Sequence, residues 1–503
     1  MSAFVTDQFR ILNAGSFVES ISNNSYYAFL GLSNPTSVGF GRTTNWDTST
    51  TNNPVDNFQY LSHYRDTCLF GKKITTENAR RVIRKVDWIA NTPYDMYRHD
   101  YRQGNEAPVS KTVRLYDANY YIITSEFKVY ICLDNGSFGV NPTVTGSAIE
   151  PTQTDVEPVT FSDGYRWKYL FSISPSDVIK FDSTEYITVP NDWSTTTDSS
   201  IQTVREGGDS DTNDNQIKTV YIEEGGTAYS NETSLPILGD GSGGEVSITV
   251  DSSGVIIDVV VTNGGKGYTY GVVDLRNKSG SGSKLIPIIP PAKGHGYNIY
   301  EELGTDKVLM YARFDDSTKD FPIDTVFSQV GIIKNPETFS GAGVTFTEST
   351  FSSLSGIGLS ESRDVNIGEE ITQNQDNDIV AKGYVASFDK DTKVLKYYQD
   401  RSLCFGNKLD QSSNNNLKNI TSFNNTGNIN FSVSGGTGTV DTTLNGNVIV
   451  VNNKQINLGV NFTDGLADPQ INKKTGTIIY IDNRPAVERD SRQKEDIKII
   501  LEF

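Results

Sequence analysis

Apolar positions in this chain fall mostly in short runs bounded by turn formers. Tyr26-Tyr27-Ala28-Phe29-Leu30 is a β-prone run followed by the turn signal Ser33-Asn34-Pro35, which predicts a strand and its exit. From Pro54 to Trp88 the pattern turns helical. Thr75 and Thr76 are N-cap types, and the segment ENARRVIRKVDW sets Val82, Ile83 and Val86 on one side, with Arg80/Arg84 and Arg81/Lys85 paired at i, i+4 on the rest. The stretch 111–133 predicts two β segments around Asp117-Ala118-Asn119, and 164–190 predicts another pair interrupted at Ser174-Pro175. After the turn signal Asp163-Gly164, Tyr165, Trp167, Tyr169 and Phe171 recur at period two, so four aromatics share one strand face and point to a core. An antiparallel meander is the economical interpretation. Two more strands, Gly476–Ile481 and Asp496–Phe503, close the chain.

Residues 217–230 and 256–269 repeat each other. Gly225-Gly226 and Tyr229 recur as Gly264-Gly265 and Tyr268, 39 residues on. Each copy predicts a strand followed by a Gly-Gly turn, and two copies are too few for a free-standing solenoid, so the pair reads as a small β-module inserted in a larger domain. A second irregular region spans about 341–470. It holds the stretch 411–430, in which eight of twenty residues are Asn, and a hairpin pattern over 378–400 turning at Asp389–Thr392. That region predicts a compact β-module with an exposed Asn-rich loop.

Composition sharpens the class. Among 503 residues, 25 Tyr, 24 Phe and abundant Thr, Val and Ile favour pleated surfaces, while 44 Gly supply turns. The fold class expected is mainly β: a multi-domain, β-sandwich-like protein with few helices. A formal charge of −18 repels phosphate and acidic membranes, which makes nucleic acid and membrane poor partners. The four basic residues within 80–85 therefore read as a solvated face or a protein contact. Three cysteines, Cys68, Cys132 and Cys404, are too few and too scattered for a disulfide framework or a zinc cluster. The opening MSAFVTDQFR has no basic segment followed by an apolar stretch, and no run approaches ~18 apolar residues, so the expectation is a soluble product without a visible secretion signal.

The searched catalytic signatures are missing from the sequence: no GxSxG elbow, no GxxxxGK[ST] loop, no HExxH and no paired CxxC. His63, His99 and His295 have no triad context and read as surface or packing residues. DSDTNDN (209–215) imitates a calcium loop, but Asp214 stands where the sharp-turn Gly belongs and Val220 where the bidentate Glu belongs. Glu223-Glu224 and Glu301-Glu302 offer paired carboxylates of the glycosidase kind. No enzyme activity, metal or cofactor is expected.

Several strings, in order, resemble the baseplate wedge subunit of T-even-type contractile-tail bacteriophages, the gene-eight product family. They are YYAFLGLSN with Trp46 downstream, IRKVDW (83–88, ending on Trp88), NTPYDMY (91–97), VYICLDN (129–135), DGYRWKYLFSI (163–173), TEYITVP (184–190), FSQVGIIKNP (327–336), GTIIYIDNRPAV (476–487) and the terminal DIKIILEF. The most specific elements are DGYRWKYLF, with Asp163, Gly164, Tyr165 and Trp167, and IYIDNRP, with Asn483, Arg484 and Pro485. The resemblance covers roughly half the chain. It implies a mostly β homodimer with a split terminal domain (1–84 with 303–344 and 469–503), a central domain (85–302, carrying the repeat at about 203–290) and an inserted Asn-rich module (345–468). Both inserts are expected to be separable from the scaffold.

The leading expectation is a structural subunit of the wedge, assembled in the host cytoplasm and present in the virion, contacting itself and other wedge proteins. In Asn483-Arg484-Pro485, Asn tolerates a turn, Pro ends a ladder and Arg484 can clamp a carboxylate. The alternative is a tail-associated glycan-binding adhesin in which exposed Tyr229, Tyr268 and Tyr270 stack on sugars.

Overall fold

The computed structural model of the chain describes residues 4–32, 53–207, 216–315, 325–341, 343–375, 379–400, 421–488 and 493–503. The protein is mainly β, with several antiparallel sheets and few helices. Two compact units divide it. One contains 1–18, 80–309 and 500–503, and the other 19–79 and 310–499. No helix among the described residues is long and apolar enough to cross a membrane.

The first unit holds a four-stranded antiparallel sheet in the order Tyr121–Ile123, Lys128–Asp134, Arg166–Ser172, Val159–Thr160, which is not the simple meander expected, because Arg166–Ser172 inserts between Lys128–Asp134 and Val159–Thr160. At Ser174-Pro175, where the sequence predicts only a break between two β segments, a short helix begins, Pro175–Phe181. Ser174 caps it by accepting from the Asp177 N–H, and Pro175 fills the first turn, where no donor is needed.

The segment 77–88 is not a helix. Thr76–Asn78 make a single 3₁₀ turn, and Ala79–Arg84 is a strand paired antiparallel with Tyr186–Val189, Ile83 opposite Ile187. Val82 and Ile83 are β-branched and fit a pleated surface, and the intervening arginines reach partners that a helix would not bring near. Arg81 lies over the Tyr300 ring at 3.7 Å, and Arg84 donates to the Ala118 carbonyl at 2.9 Å. A true helix instead occupies Asp7–Asn23, with Ile11, Ala14, Val18 and Ile21 buried.

The repeat module is more closely interlocked than its sequence suggests. The Gly-Gly pairs lie inside strands, Val220–Thr227 and Ile256–Lys266, and are not turns that end them. Each copy's first strand pairs with the other copy's last strand: Ser242 faces Lys266 and Ser281 faces Thr227, Val246 faces Val261 and Leu285 faces Ile222. Every one of these pairs maps onto its counterpart by a shift of 39 positions with the copies exchanged, and the register slip at Glu245/Val246 recurs at Lys284/Leu285. The module thus has an internal two-fold relation. Gly226 and Gly265 both adopt positive φ, 63° and 58°, which only glycine tolerates freely.

The second unit holds a five-stranded sheet in the order Thr350–Ser352, Cys68–Ile74, Tyr26–Gly31, Val326–Lys334, Thr477–Glu488. Across it runs a row in which rings alternate with glycines: Phe351 opposite Gly71, Gly71 opposite Phe29, Phe29 opposite Gly331. Each ring lies over the neighbouring glycine, filling space a side chain would otherwise take. A nine-stranded antiparallel sheet is formed entirely within 355–467, from Thr437–Thr439 at one edge to Gly446–Val451 at the other. The predicted hairpin over 378–400 joins Ile379–Asp389 to Val394–Tyr398. Residues 411–420 lie outside the described residues. The rest of the Asn-rich stretch is ordered: Gln373 bonds both the N–H and the carbonyl of Asn424, and Asn428–Phe431 is a strand.

Candidate functional site

The residues singled out in DGYRWKYLF converge on one buried cluster. Asp163-Gly164 forms the turn that leads into Arg166–Ser172, and Gly164 has φ of 88°. Asp163 is a hub. One oxygen accepts from the N–H groups of Ala148 (2.8 Å) and Ile149 (3.1 Å) and from Ser147 Oγ (3.3 Å), while the other accepts from the Tyr165 N–H at 3.2 Å. Trp88 joins the same network, because its Nε1 donates to Ser147 Oγ at 3.2 Å. A tryptophan and an aspartate far apart in sequence are thereby linked through one buried serine.

Tyr165 and Trp167 are fully buried and stack at 5.5 Å with 9° between their planes. Tyr94 meets Trp167 edge-on at 5.9 Å, and its N–H donates to the Tyr165 hydroxyl at 3.0 Å. That hydroxyl donates in turn to the Thr145 carbonyl at 2.7 Å. Burial pushes the Tyr94 and Tyr165 hydroxyls above the usual tyrosine range, so both stay neutral donors. The period-two stripe is only partly kept. A register slip at Val129/Tyr130 leaves Tyr169 half-buried against Tyr130, while Lys168 and Leu170, on the opposite phase, are buried too.

Lys168 buries its ammonium, which donates to the Val156 carbonyl at 2.5 Å, and burial pulls its pKa down to about 8. In the same unit His295 Nδ1 lies 2.6 Å from Glu302 Oε1, and Glu302 also accepts from the Gly296 N–H at 2.7 Å. The Tyr97 ring meets His295 edge-on at 4.8 Å. This pair, and His63 bonded to Asp400 at 2.7 Å in the second unit, are packing histidines rather than surface ones. Of the two carboxylate pairs, Glu302 bonds His295 and Glu223 bonds Lys284.

The strand Thr477–Glu488 carries the other singled-out residues. Asn483 is buried and accepts from Gln329 Nε2 at 2.7 Å. Arg484 is exposed and clamps Asp482 on its own strand, Nε to Oδ2 at 2.6 Å. Pro485 does not end the ladder. It sits in a register slip between Gln329/Asn483 and Phe327/Val487, on a strand that continues at the sheet edge to Glu488. Trp46 and the segment 209–215 lie outside the described residues.

The sugar-stacking reading of the repeat module is overturned for two of its three tyrosines. Tyr229 and Tyr268 are 8% and 3% exposed, and Tyr270 alone, at 63%, faces solvent. Tyr229 covers Gly280 of the other copy, and Tyr268 covers Gly241 of the other copy, so the recurring tyrosines are the pegs of the two-fold interlock. The basic cluster is likewise turned inward to protein groups: Arg80 to Asp177 at 3.1 Å, Lys85 to Asp182 at 3.1 Å, and the Arg81 and Arg84 contacts given above.

Sequence reasoning missed Asp95, which is fully buried and accepts from the N–H groups of Val109, Ser110 and Asn119 at 2.8, 3.2 and 3.1 Å. A lone acid between aromatics in NTPYDMY was its available signal. Among the described residues no group of three or more His, Cys, Asp or Glu is arranged to hold a metal ion. No family model matches the chain, and no curated protein matches it.

Proposed function

We propose that this chain is a non-enzymatic structural subunit of a contractile-tail phage baseplate wedge, homodimeric and in contact with other wedge proteins in the virion. The proposal rests on the ordered strings that resemble the gene-eight product family. One observation carries it within the molecule: in DGYRWKYLF, the most specific of those strings, Asp163 and Tyr165 bond neighbouring segments of this chain and Trp167 is sealed in the core. A general acid or base must reach a proton on a substrate. The four donors on Asp163 instead tie the 147–149 segment to the turn that opens the strand Arg166–Ser172, a role in holding the scaffold together.

Gold-labelled antibody against this chain, applied to phage particles of its source, tests the reading. Label confined to the baseplate is expected. Label on fibres or capsid, or particles that carry none of the chain, sinks it.

A further inference from the structure

Where the repeat module joins the rest of the first unit, its entering and leaving strands are held by different chemistry. The entering strand, Val220–Thr227, is held by contacts that do not titrate near neutral pH. The Gly139 N–H donates to the Ile222 carbonyl at 2.9 Å, the Tyr221 hydroxyl donates to the Gly139 carbonyl at 2.8 Å, and the Arg98 guanidinium lies over the Tyr221 ring at 4.1 Å. Arg98 is clamped in turn by both oxygens of Asp100, at 2.9 and 2.8 Å. Just before the strand, Arg166 donates to the Lys218 carbonyl at 2.7 Å.

The leaving strand, Ser281–Pro287, ends differently. Ile288 still donates to the Thr219 carbonyl at 2.9 Å, but Pro290 and Pro291 carry no N–H. The Ile289 N–H is therefore the last backbone donor before Ala292, and it donates to His99 Nδ1 at 3.2 Å. A backbone N–H is always a donor, so the nitrogen that receives it must be bare, and the proton of the neutral imidazole sits on Nε2. Ile289 is buried in the module core with Val220 and Leu285, where an N–H deprived of its acceptor is costly.

We propose that His99 is a pH-sensitive catch on the exit of the repeat module: the neutral imidazole holds the Ile289 N–H, and protonation at Nδ1 sets donor against donor and frees 288–292. His99 is exposed as a residue, so solvent protons reach the ring. Desolvation where it packs lowers its pKa from the ordinary 6.5, Arg98 acts in the same direction, and Asp100 acts against both. On the module side the ring meets an uncharged N–H. Tyr221, beside Arg98, has its own pKa raised by burial and stays neutral, with Glu223 and Asp134 the acids nearest to it. Because the folded chain favours the neutral imidazole, the catch is fully engaged above pH 6.5 and is lost as pH falls from there through the folded-state value.

Hydrogen exchange of the full chain, read by mass spectrometry at about pH 7.5 and about pH 5.5 and corrected for intrinsic rates, tests the catch. The peptide holding the Ile288 and Ile289 amides is expected to lose protection at least about fivefold at the lower pH, while peptides from 220–227 keep theirs. His99→Asn, whose Oδ1 takes the place of Nδ1 and does not titrate, should keep the exit protected at both pH values, and His99→Ala should leave it unprotected at both. If His99→Ala does not fold, the asparagine variant decides. Wild-type protection that ignores pH overturns the catch. Equal loss in His99→Asn, at the exit or across the module, overturns it too, because another group would then be the one that titrates.

Discussion

Gly71 lies so close beneath the ring of Phe351 on the neighbouring strand that a β-carbon at Gly71 would come within 2.2 Å of two ring carbons. The two residues are directly opposite in the five-stranded sheet, and the aromatic that covers the glycine leaves no room for a side chain there. Gly71→Ala is therefore expected to destabilise the protein by about 1–3 kcal/mol, the range of core overpacking. Adding Phe351→Leu should recover part of that loss. Urea unfolding of the single and double variants measures both, and a neutral Gly71→Ala would show that the ring is free to move.

The Trp88–Ser147–Asp163 network should behave as a unit. Asp163→Ala leaves three N–H donors and a serine hydroxyl without this acceptor, and because the site is half-buried and Ala148 is exposed, so that water replaces part of the loss, a cost of about 1–3 kcal/mol is expected. Trp88→Phe removes one hydrogen bond and should cost about 1 kcal/mol beyond lost packing. A double-mutant cycle between Trp88→Phe and Ser147→Ala is expected to give a coupling of about 0.5–3 kcal/mol, and additivity would break the network into independent contacts.

Lys168 makes stability depend on pH in a definite direction. Burial lowers its folded-state pKa to about 8, below the 10.5 of a free lysine, so the unfolded chain binds the proton more tightly between these values. Stability contributed at this site is lowest below pH 8 and rises as pH climbs from about 8 towards 10.5. Lys168→Met should abolish that rise, raising stability relative to wild type at pH 7 more than at pH 10. Paired denaturation curves at the two pH values check it, and equal differences at both would show that the ammonium is solvated.

The two-fold relation of the repeat module predicts matched but unequal effects at its pegs. Tyr268→Phe removes a hydroxyl that donates to the Ile237 carbonyl and accepts from the Gly244 N–H, at 2.8 and 3.1 Å. Tyr229→Phe removes one bond, from Ser283 Oγ at 2.7 Å. Tyr268→Phe should cost more, by about 1 kcal/mol. Calorimetric melting of the two variants tests the order.

Deletion of the whole module is expected to be costly, contrary to the expectation from sequence that it could be cut away. Tyr221 and Ile288 are buried in the main core of the first unit, with Ile286 packed against it, and the Tyr221 hydroxyl donates to the Gly139 carbonyl at 2.8 Å. Replacing 217–289 with a short linker would uncover that core. Aggregation or loss of the melting transition is expected, and a fully folded deletion protein would show that the core closes without these residues.

Legibility in the sequence followed how local the cause was. Tyr26–Leu30 was readable because an unbroken β-prone run is what a central strand needs, and all six residues of Tyr26–Gly31 are buried between two neighbours. The turn at Asp163-Gly164 and the break at Ser174-Pro175 were readable because side chain and backbone bond within a few residues, while the short helix that Ser174 caps was not foreseen. Residues 77–88 were misread because Val82, Ile83 and Val86 suit either period, and the deciding partners, Ile187, Tyr300 and Ala118, lie far along the chain. The helix Asp7–Asn23 was obscured by its exposed Phe9 and Leu12, which blur an otherwise helical spacing of Ile11, Ala14, Val18 and Ile21. Tyr229 and Tyr268 were found through their recurrence, but the glycines that take their rings belong to the opposite copy, and no single-copy pattern reveals that exchange.

The reciprocal pairing of the repeats also fixes how the module would carry tension. Its first and last strands are partners, with Val220 opposite Pro287, so the chain enters and leaves at the same end of one antiparallel ladder. A pull on the flanking chain would open that ladder like a zip, one cross-strand pair at a time, from Val220/Pro287 towards Thr227/Ser281. The interlocked tyrosines lie beyond the first pairs to yield, so the mechanically weak point is the doorway of the module, while its interior is loaded last.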